Sequence, residues 1–209
     1  MRFAVIDIGK PGKNLGWAID EPKKEGSDLD CCIDELAETL CKNSLALGFE
    51  APQFVPVGHD QNNLLKARQG EAGPGLAPRP FSAAAGATVL VTSLVIVPYV
   101  LQRLRERVPA ATARLDWRHS MTEPRQLLLW EAFVTDQRKV TATRNVEDAQ
   151  VAIAAFRRGL ADLASFKSSV TSPECFNLLG AALLRTGWST DVALLSAPCL
   201  VVRSAPQQV

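Results

Sequence analysis

The chain has 209 residues, 47% hydrophobic and 22% charged, a balance that lets a chain bury one core, argues against wholesale disorder and leaves little room for two full domains. Its 23 lysines and arginines against 22 acids leave a formal charge of +1, so no global field holds a polyanion and any nucleic-acid contact must come from a local patch. The five cysteines are odd in number, include the adjacent Cys31 and Cys32, and show no C-x-x-C spacing; they give no zinc site and fit reduced thiols in a cytoplasmic protein.

In chain order, RFAVIDI (Arg2 to Ile8) is a β-branched apolar run closed by Gly9, and LGWAI (Leu15 to Ile19) follows a Gly/Pro/Lys/Asn turn. Together they read as a hairpin. The charges in MRFAVIDIG are unlike the uncharged apolar region of a signal peptide. Ser27 opens a Ser-x-x-Asp start, and Ile33, Leu36, Ala37 and Leu40 follow at helical spacing, so an amphipathic helix is expected to about Lys42. SLALGFE (Ser44 to Glu50) reads as a strand closed by Ala51-Pro52.

From Ala51 to Pro80 the chain is rich in proline and glycine, which predicts a long surface loop with one short helix around Asn62 to Ala67. Phe81 to Leu101 carries no charge and is long enough to cross a bilayer. Its serines, threonines and alanines, and Arg103, Arg105 and Arg107 just after it, favour a helix buried against a sheet, capped by Ser82 and kinked or broken at Pro98. An irregular stretch follows to Arg125, then LLLWEAFV (Leu127 to Val134), apolar on both faces except at Glu131, as in a central strand. Asn145 opens a helix from Val146 to about Leu163, Pro173 opens another to about Arg185, and Val192 to Leu195 with Leu200 to Val202 make a last strand pair. Strands separated by helices, with hairpins, give an α/β class with a mixed sheet.

Acids interrupt three of these strands. Asp7 and Glu50 end theirs, and Glu131 breaks the most apolar one. A carboxylate buried in such a place needs a cation or hydrogen bonds. Asp148 enters from the first turn of the following helix, where it also suits an Asn-x-x-Asp cap and the helix dipole. Four acids make hard oxygen ligands of the kind magnesium or manganese prefers, and such ions act on phosphate esters, often in pairs. Lys10 and Lys13, in the turn after Asp7, are placed to touch a phosphate backbone. His59 and His119 lack ligand spacing, no nucleophile elbow or phosphate-binding Gly-rich motif occurs, and the four tryptophans read as packing.

AVIDIGKPGKNLGWAI resembles the opening hairpin of the ribonuclease-H-like superfamily, in its resolvase-type branch and the related families of predicted nucleases. LALGFEAP, with Glu50 at a strand end, FSAAAGATVL, LLLWEAF and VEDAQVAIAAF extend the likeness over most of Arg2 to Leu163. The resemblance implies a ribonuclease-H-like mixed sheet flanked by helices, and a metal-dependent nuclease in which Asp7, Glu50 and Asp148 are ligands and Glu131 an added candidate. The family opens on three strands before its first helix, where two are read here before Ser27, and its last helix often pairs acids, here Glu147 with Asp148.

The expectation is therefore one ribonuclease-H-like domain over residues 1–209, binding Mg2+ or Mn2+ and cutting nucleic acid by a two-metal mechanism. It would be cytoplasmic, outside the membrane, and able to form a homodimer through an exposed part of the long helix. Two alternatives stay open: a non-catalytic binding or scaffold protein that keeps the fold, and a small nucleotide-binding phosphotransferase.

Overall fold

The structure, a computed structural model, describes residues 1–72, 80–119, 121–134, 145–159 and 166–204. In order these form β1 (Arg2–Asp7), β2 (Gly16–Ile19), β3 (Lys24–Gly26), α1 (Leu29–Lys42), β4 (Leu45–Glu50), β5 (Phe54–Pro56), α2 (Ala84–Arg107) and β6 (Thr112–Arg114). They continue with β7 (Gln126–Phe133), α3 (Asn145–Gly159), β8 (Cys175–Asn177), α4 (Leu178–Arg185) and β9 (Val201–Arg203).

Seven strands make one mixed sheet in the order β3-β2-β1-β4-β7-β6, with β9 also pairing β7. The antiparallel part is β1-β2-β3, and β1, β4, β7, β6 and β9 run parallel. Because side chains alternate across a strand, the sheet has two apolar faces. Ala4, Ile6, Leu45, Leu47, Phe49, Leu127 and Leu129 pack with α1, α2 and α4. Phe3, Val5, Ala46, Leu128, Trp130 and Ala132 pack with α3. The fold is thus mixed α/β, with helices on both faces of the sheet.

Several boundaries differ from those expected. A third strand, Lys24–Gly26, precedes the first helix and pairs antiparallel with β2; its residues are polar because it lies at the sheet edge. The cap of α1 is Asp28, whose side chain accepts from Cys31 N at 2.8 Å, one residue after the expected Ser27. Ser82 does not cap α2; its hydroxyl donates to Leu65 O at 2.7 Å, and the cap position is Ala83. Around Asn62 only a 3-10 turn forms, Gln61–Asn63, and β5 pairs with β8 where loop and helix were expected. The helix after Pro173 starts at Leu178, capped by Asn177. Val192–Leu195 is a 3-10 turn, so only Val201–Arg203 of the expected final pair is a strand. The α3 end expected at Leu163 lies outside the described residues.

α2 runs unbroken through Pro98 and buries Ile96, Val97, Val100, Leu101 and Leu104. It is long and apolar enough to cross a membrane, and its other side is open to solvent, with Val91 61% and Val95 71% exposed. Burial against the sheet therefore covers only one side of the helix.

Candidate metal centre

The carboxyl ends of parallel strands are where open α/β sheets hold ligands, above all where the strand order reverses. Here the chain runs outward one way through β1-β2-β3 and the other way through β4 and β7. Asp7 and Glu50 are the last residues of β1 and β4 and are direct register partners. Register partners in a parallel pair project to the same face. Both therefore lie on the side of Phe3, Val5 and Trp130, the side covered by α3.

Two close approaches bring the third acid to them. Gly16, the β2 partner of Asp7, has no side chain, and a Cβ there would stand 2.4 Å from the Asn145 carbonyl carbon and the Val146 nitrogen. Only glycine lets the start of α3 sit on β2 at this point. Asn145 Nδ2 donates to Asn14 O, tying the same helix start to the β1–β2 turn. Below it, Ala149, Ala152, Ala155 and Phe156 are buried, and the Phe156 ring lies 5.3 Å from Phe3 and 4.7 Å from Trp130. Trp130 in turn fills the space over Gly48, where a Cβ would come within 2.5 Å of the indole. The first turn of α3 is thus fixed above the ends of β1 and β4, with Asp148 facing inward.

Asp7, Glu50 and Asp148 each offer a carboxylate oxygen, and these oxygens all lie within 4.8 Å of one another. Asp7 and Asp148 are buried and Glu50 half-buried. Like charges at this spacing repel, by a few kcal/mol per pair at an effective dielectric of ~20. Hydrogen bonds and the positive end of α3 offset part of that, and a divalent cation offsets it most directly. Among the described residues no histidine or cysteine joins the cluster, and three carboxylates would suit Mg2+, Mn2+ or Ca2+ rather than zinc or copper.

Glu131 does not join them. On β7 it pairs in register with Phe49 rather than Glu50, so it projects to the opposite face of the sheet. There its two oxygens accept from Arg68 Nη1 at 2.8 Å and Nη2 at 2.7 Å, and Oε2 also accepts from Gln53 N at 2.8 Å. Arg68 bonds Glu71 as well, and its guanidinium lies 4.4 Å from the Phe54 ring centre. The two glutamates beside Arg68 hold its guanidinium well above its ordinary range against the opposing effect of burial, which is the largest influence on it. Sequence reasoning missed Arg68 and Gln53; the signal was an acid in an apolar strand, but their positions in the loop follow no periodicity.

Lys10 and Lys13 are exposed on the β1–β2 turn next to Asp7. Glu147, the neighbour of Asp148, is exposed and outside the carboxylate cluster. Three surface arginines are paired with acids: Arg103 with Glu106, Arg107 with Asp34, and Arg157 with Asp20 and Glu21. His59 and His119 pair on the surface with Glu174 and Asp116. Trp17, Trp117 and Trp130 are buried and Trp188 partly so.

Glu50 opens onto a cavity of about 110 Å3 shared with Arg68, Glu71 and Glu131. A roomier groove of about 690 Å3, between the β1–β2 turn, the start of α1 and the exposed side of α2, contains Lys10 but none of the three carboxylates. The three candidate ligands therefore lie outside the larger space. Compared with known proteins, the chain matches no family model, no curated protein and no solved structure.

Proposed function

We propose that this chain is a Mg2+- or Mn2+-dependent nuclease of ribonuclease-H-like architecture that hydrolyses phosphodiester bonds of nucleic acid. The observation that carries the proposal is the meeting of Asp7, Glu50 and Asp148, from two parallel strands and a helix, with ligand oxygens within 4.8 Å. The three strands before the first helix, as in the family the sequence resembles, support the architecture.

Asp7, Glu50 and Asp148 would hold the metal. A divalent cation supplies charge to stabilise the phosphate in an in-line displacement and makes water acidic enough to attack at neutral pH. Each carboxylate brings two oxygens, and magnesium completes its shell with water and substrate phosphate, so three acids suffice to anchor the two ions of a two-metal mechanism. Glu131, turned to the other face and held by Arg68, is left out of this ligand set. Lys10 and Lys13 supply the local positive charge that a chain of nearly zero net charge needs to hold a nucleic-acid backbone beside Asp7.

Calorimetric titration with Mn2+ and Mg2+, followed by cleavage assays on single-stranded, duplex and branched DNA and RNA, tests the proposal. Wild type is expected to bind two ions and cleave at least one substrate, and Asp7→Asn and Asp148→Asn are expected to bind fewer ions and to lose cleavage. Metal binding without cleavage of any substrate, or no binding at all, would favour the scaffold reading over the nuclease.

A further inference from the structure

We infer that Glu131, clamped by Arg68, is a positioning residue that fixes Glu50 for the metal; this rests on the metal reading above. Glu50 ends β4, and the ladder to β7 stops one residue earlier, at Phe49 and Glu131. Past that point the chain bends, with Ala51 N donating to Phe49 O at 3.0 Å. The next buried backbone donor, Gln53 N, goes to the Glu131 carboxylate at 2.8 Å. Gln53 then closes the bend on itself, its Nε2 donating to Ala51 O at 3.1 Å, while its own carbonyl accepts from Leu178 N at 2.8 Å. The side chain of Glu131 thus replaces the backbone acceptor that a longer ladder would have provided, and it sets the path of the chain out of Glu50.

Arg68 makes that acceptor rigid. Its two terminal nitrogens meet both Glu131 oxygens, at 2.8 and 2.7 Å, a paired geometry that fixes the plane of the carboxylate. Gln53, Arg68 and Glu131 are all nearly fully buried, and Arg68 and Glu131 share with Glu50 the cavity of about 110 Å3. Groups behind the ligands that hold them in place typically change metal affinity or activity by roughly 10- to 100-fold when mutated.

The test is the Mn2+ affinity and stoichiometry of the full chain, measured by calorimetry well below the melting temperature, for wild type, Glu131→Gln, the double variant Arg68→Met/Glu131→Met, and Asp7→Asn as the reference for a lost ligand. Glu131→Gln is expected to weaken binding roughly 10- to 100-fold with the stoichiometry unchanged. The double variant, in which apolar residues replace the Arg68–Glu131 pair and no unpaired charge is left at either position, should be weakened too, since Gln53 N has lost its acceptor. Affinity equal to wild type in both variants, whatever their melting temperatures, would make the pair merely structural and overturn the inference. Loss of an ion in Glu131→Gln, as in Asp7→Asn, would overturn it the other way by making Glu131 a ligand. Should Glu131→Gln not fold, Arg68→Lys, which keeps the charge but not the paired geometry, should show the same weakening, and wild-type affinity there counts against the inference. A wild-type protein that binds no Mn2+ refutes the metal reading itself, a result distinct from all of these.

Discussion

Replacing Arg68 by methionine isolates the energetics of the buried charges. The Arg68 side chain is 1% exposed, as are those of Glu71 and Glu131. It donates to both Glu131 oxygens, to Glu71 Oε1 from Nε at 3.2 Å and Nη2 at 2.9 Å, and more weakly to Phe54 O at 3.4 Å. Methionine keeps much of the contact with Phe54 but leaves two carboxylates buried together without their shared cation. Breaking one side of a buried pair costs about 3–5 kcal/mol. For a chain of this size that corresponds to a melting temperature lower by roughly 6–20 °C. Arg203, which already donates to Gly70 O beside Glu71, offsets part of the loss if it swings inward, so the lower half of the range is expected. Urea unfolding followed by circular dichroism gives the number, provided the slope with denaturant is unchanged. The same measurement on Arg68→Met/Glu131→Met should show a smaller loss than the single variant, because one buried carboxylate is gone and the Glu71 carboxylate and the Gln53 N–H are the groups left without their partner. A single variant within about 1 kcal/mol of wild type, or a double variant that loses the sum of two large penalties, would refute the reasoning that these charges are coupled.

Three further outcomes follow from other parts of the fold. Gly48→Ala places a Cβ 2.5 Å from the indole of the fully buried Trp130 and should cost about 1–3 kcal/mol with altered tryptophan fluorescence; a variant as stable as wild type would show that the indole can move aside. Pro98→Ala restores a backbone donor inside α2 and should stabilise by about 1–2 kcal/mol, less than the full proline penalty of ~3 kcal/mol because ring contacts are lost; a lower melting temperature would contradict this. In native alkylation, Cys41 and Cys31 are exposed and Cys32, Cys175 and Cys199 buried. Burial pushes the Cys32 and Cys199 thiols well up and the Cys175 thiol up, so mass spectrometry should find label on Cys41 and Cys31 alone. The hydrogen bond to Asp28, and then that carboxylate's charge, hold the Cys31 thiol above its ordinary range. Its labelling should therefore rise at higher pH than that of a free thiol, and Asp28→Asn should lower that pH.

The parts of the fold that could be read from the sequence are those fixed by local pattern. β1, β4 and β7 are apolar runs, α1 and α3 show helical spacing, and the acids at the ends of β1 and β4 stand out because an apolar run makes a charge conspicuous. β3 was invisible because Lys-Glu-Gly is a strand only through its partner β2. At the start of α1, Ser27 and Asp28 are both good caps, and the choice falls to whichever oxygen reaches Cys31 N. Ser82 failed as a cap because its hydroxyl is taken by Leu65 O, from a loop seventeen residues earlier.

Glu131 shows where local reading stops. A strand apolar on both faces, as LLLWEAFV is, carries no alternation to say which face its one acid takes, and a shift of one residue in register moves a side chain through the sheet. Pairing with Phe49 rather than Glu50 is what separates Glu131 from the other acids. A carboxylate in a buried strand calls for positive charge, but the sequence does not say whether an arginine or a metal supplies it. For Glu131 the fold brings Arg68 from sixty-three residues away. For Asp7, Glu50 and Asp148 it brings the three acids to one another, an arrangement that could hold a metal ion.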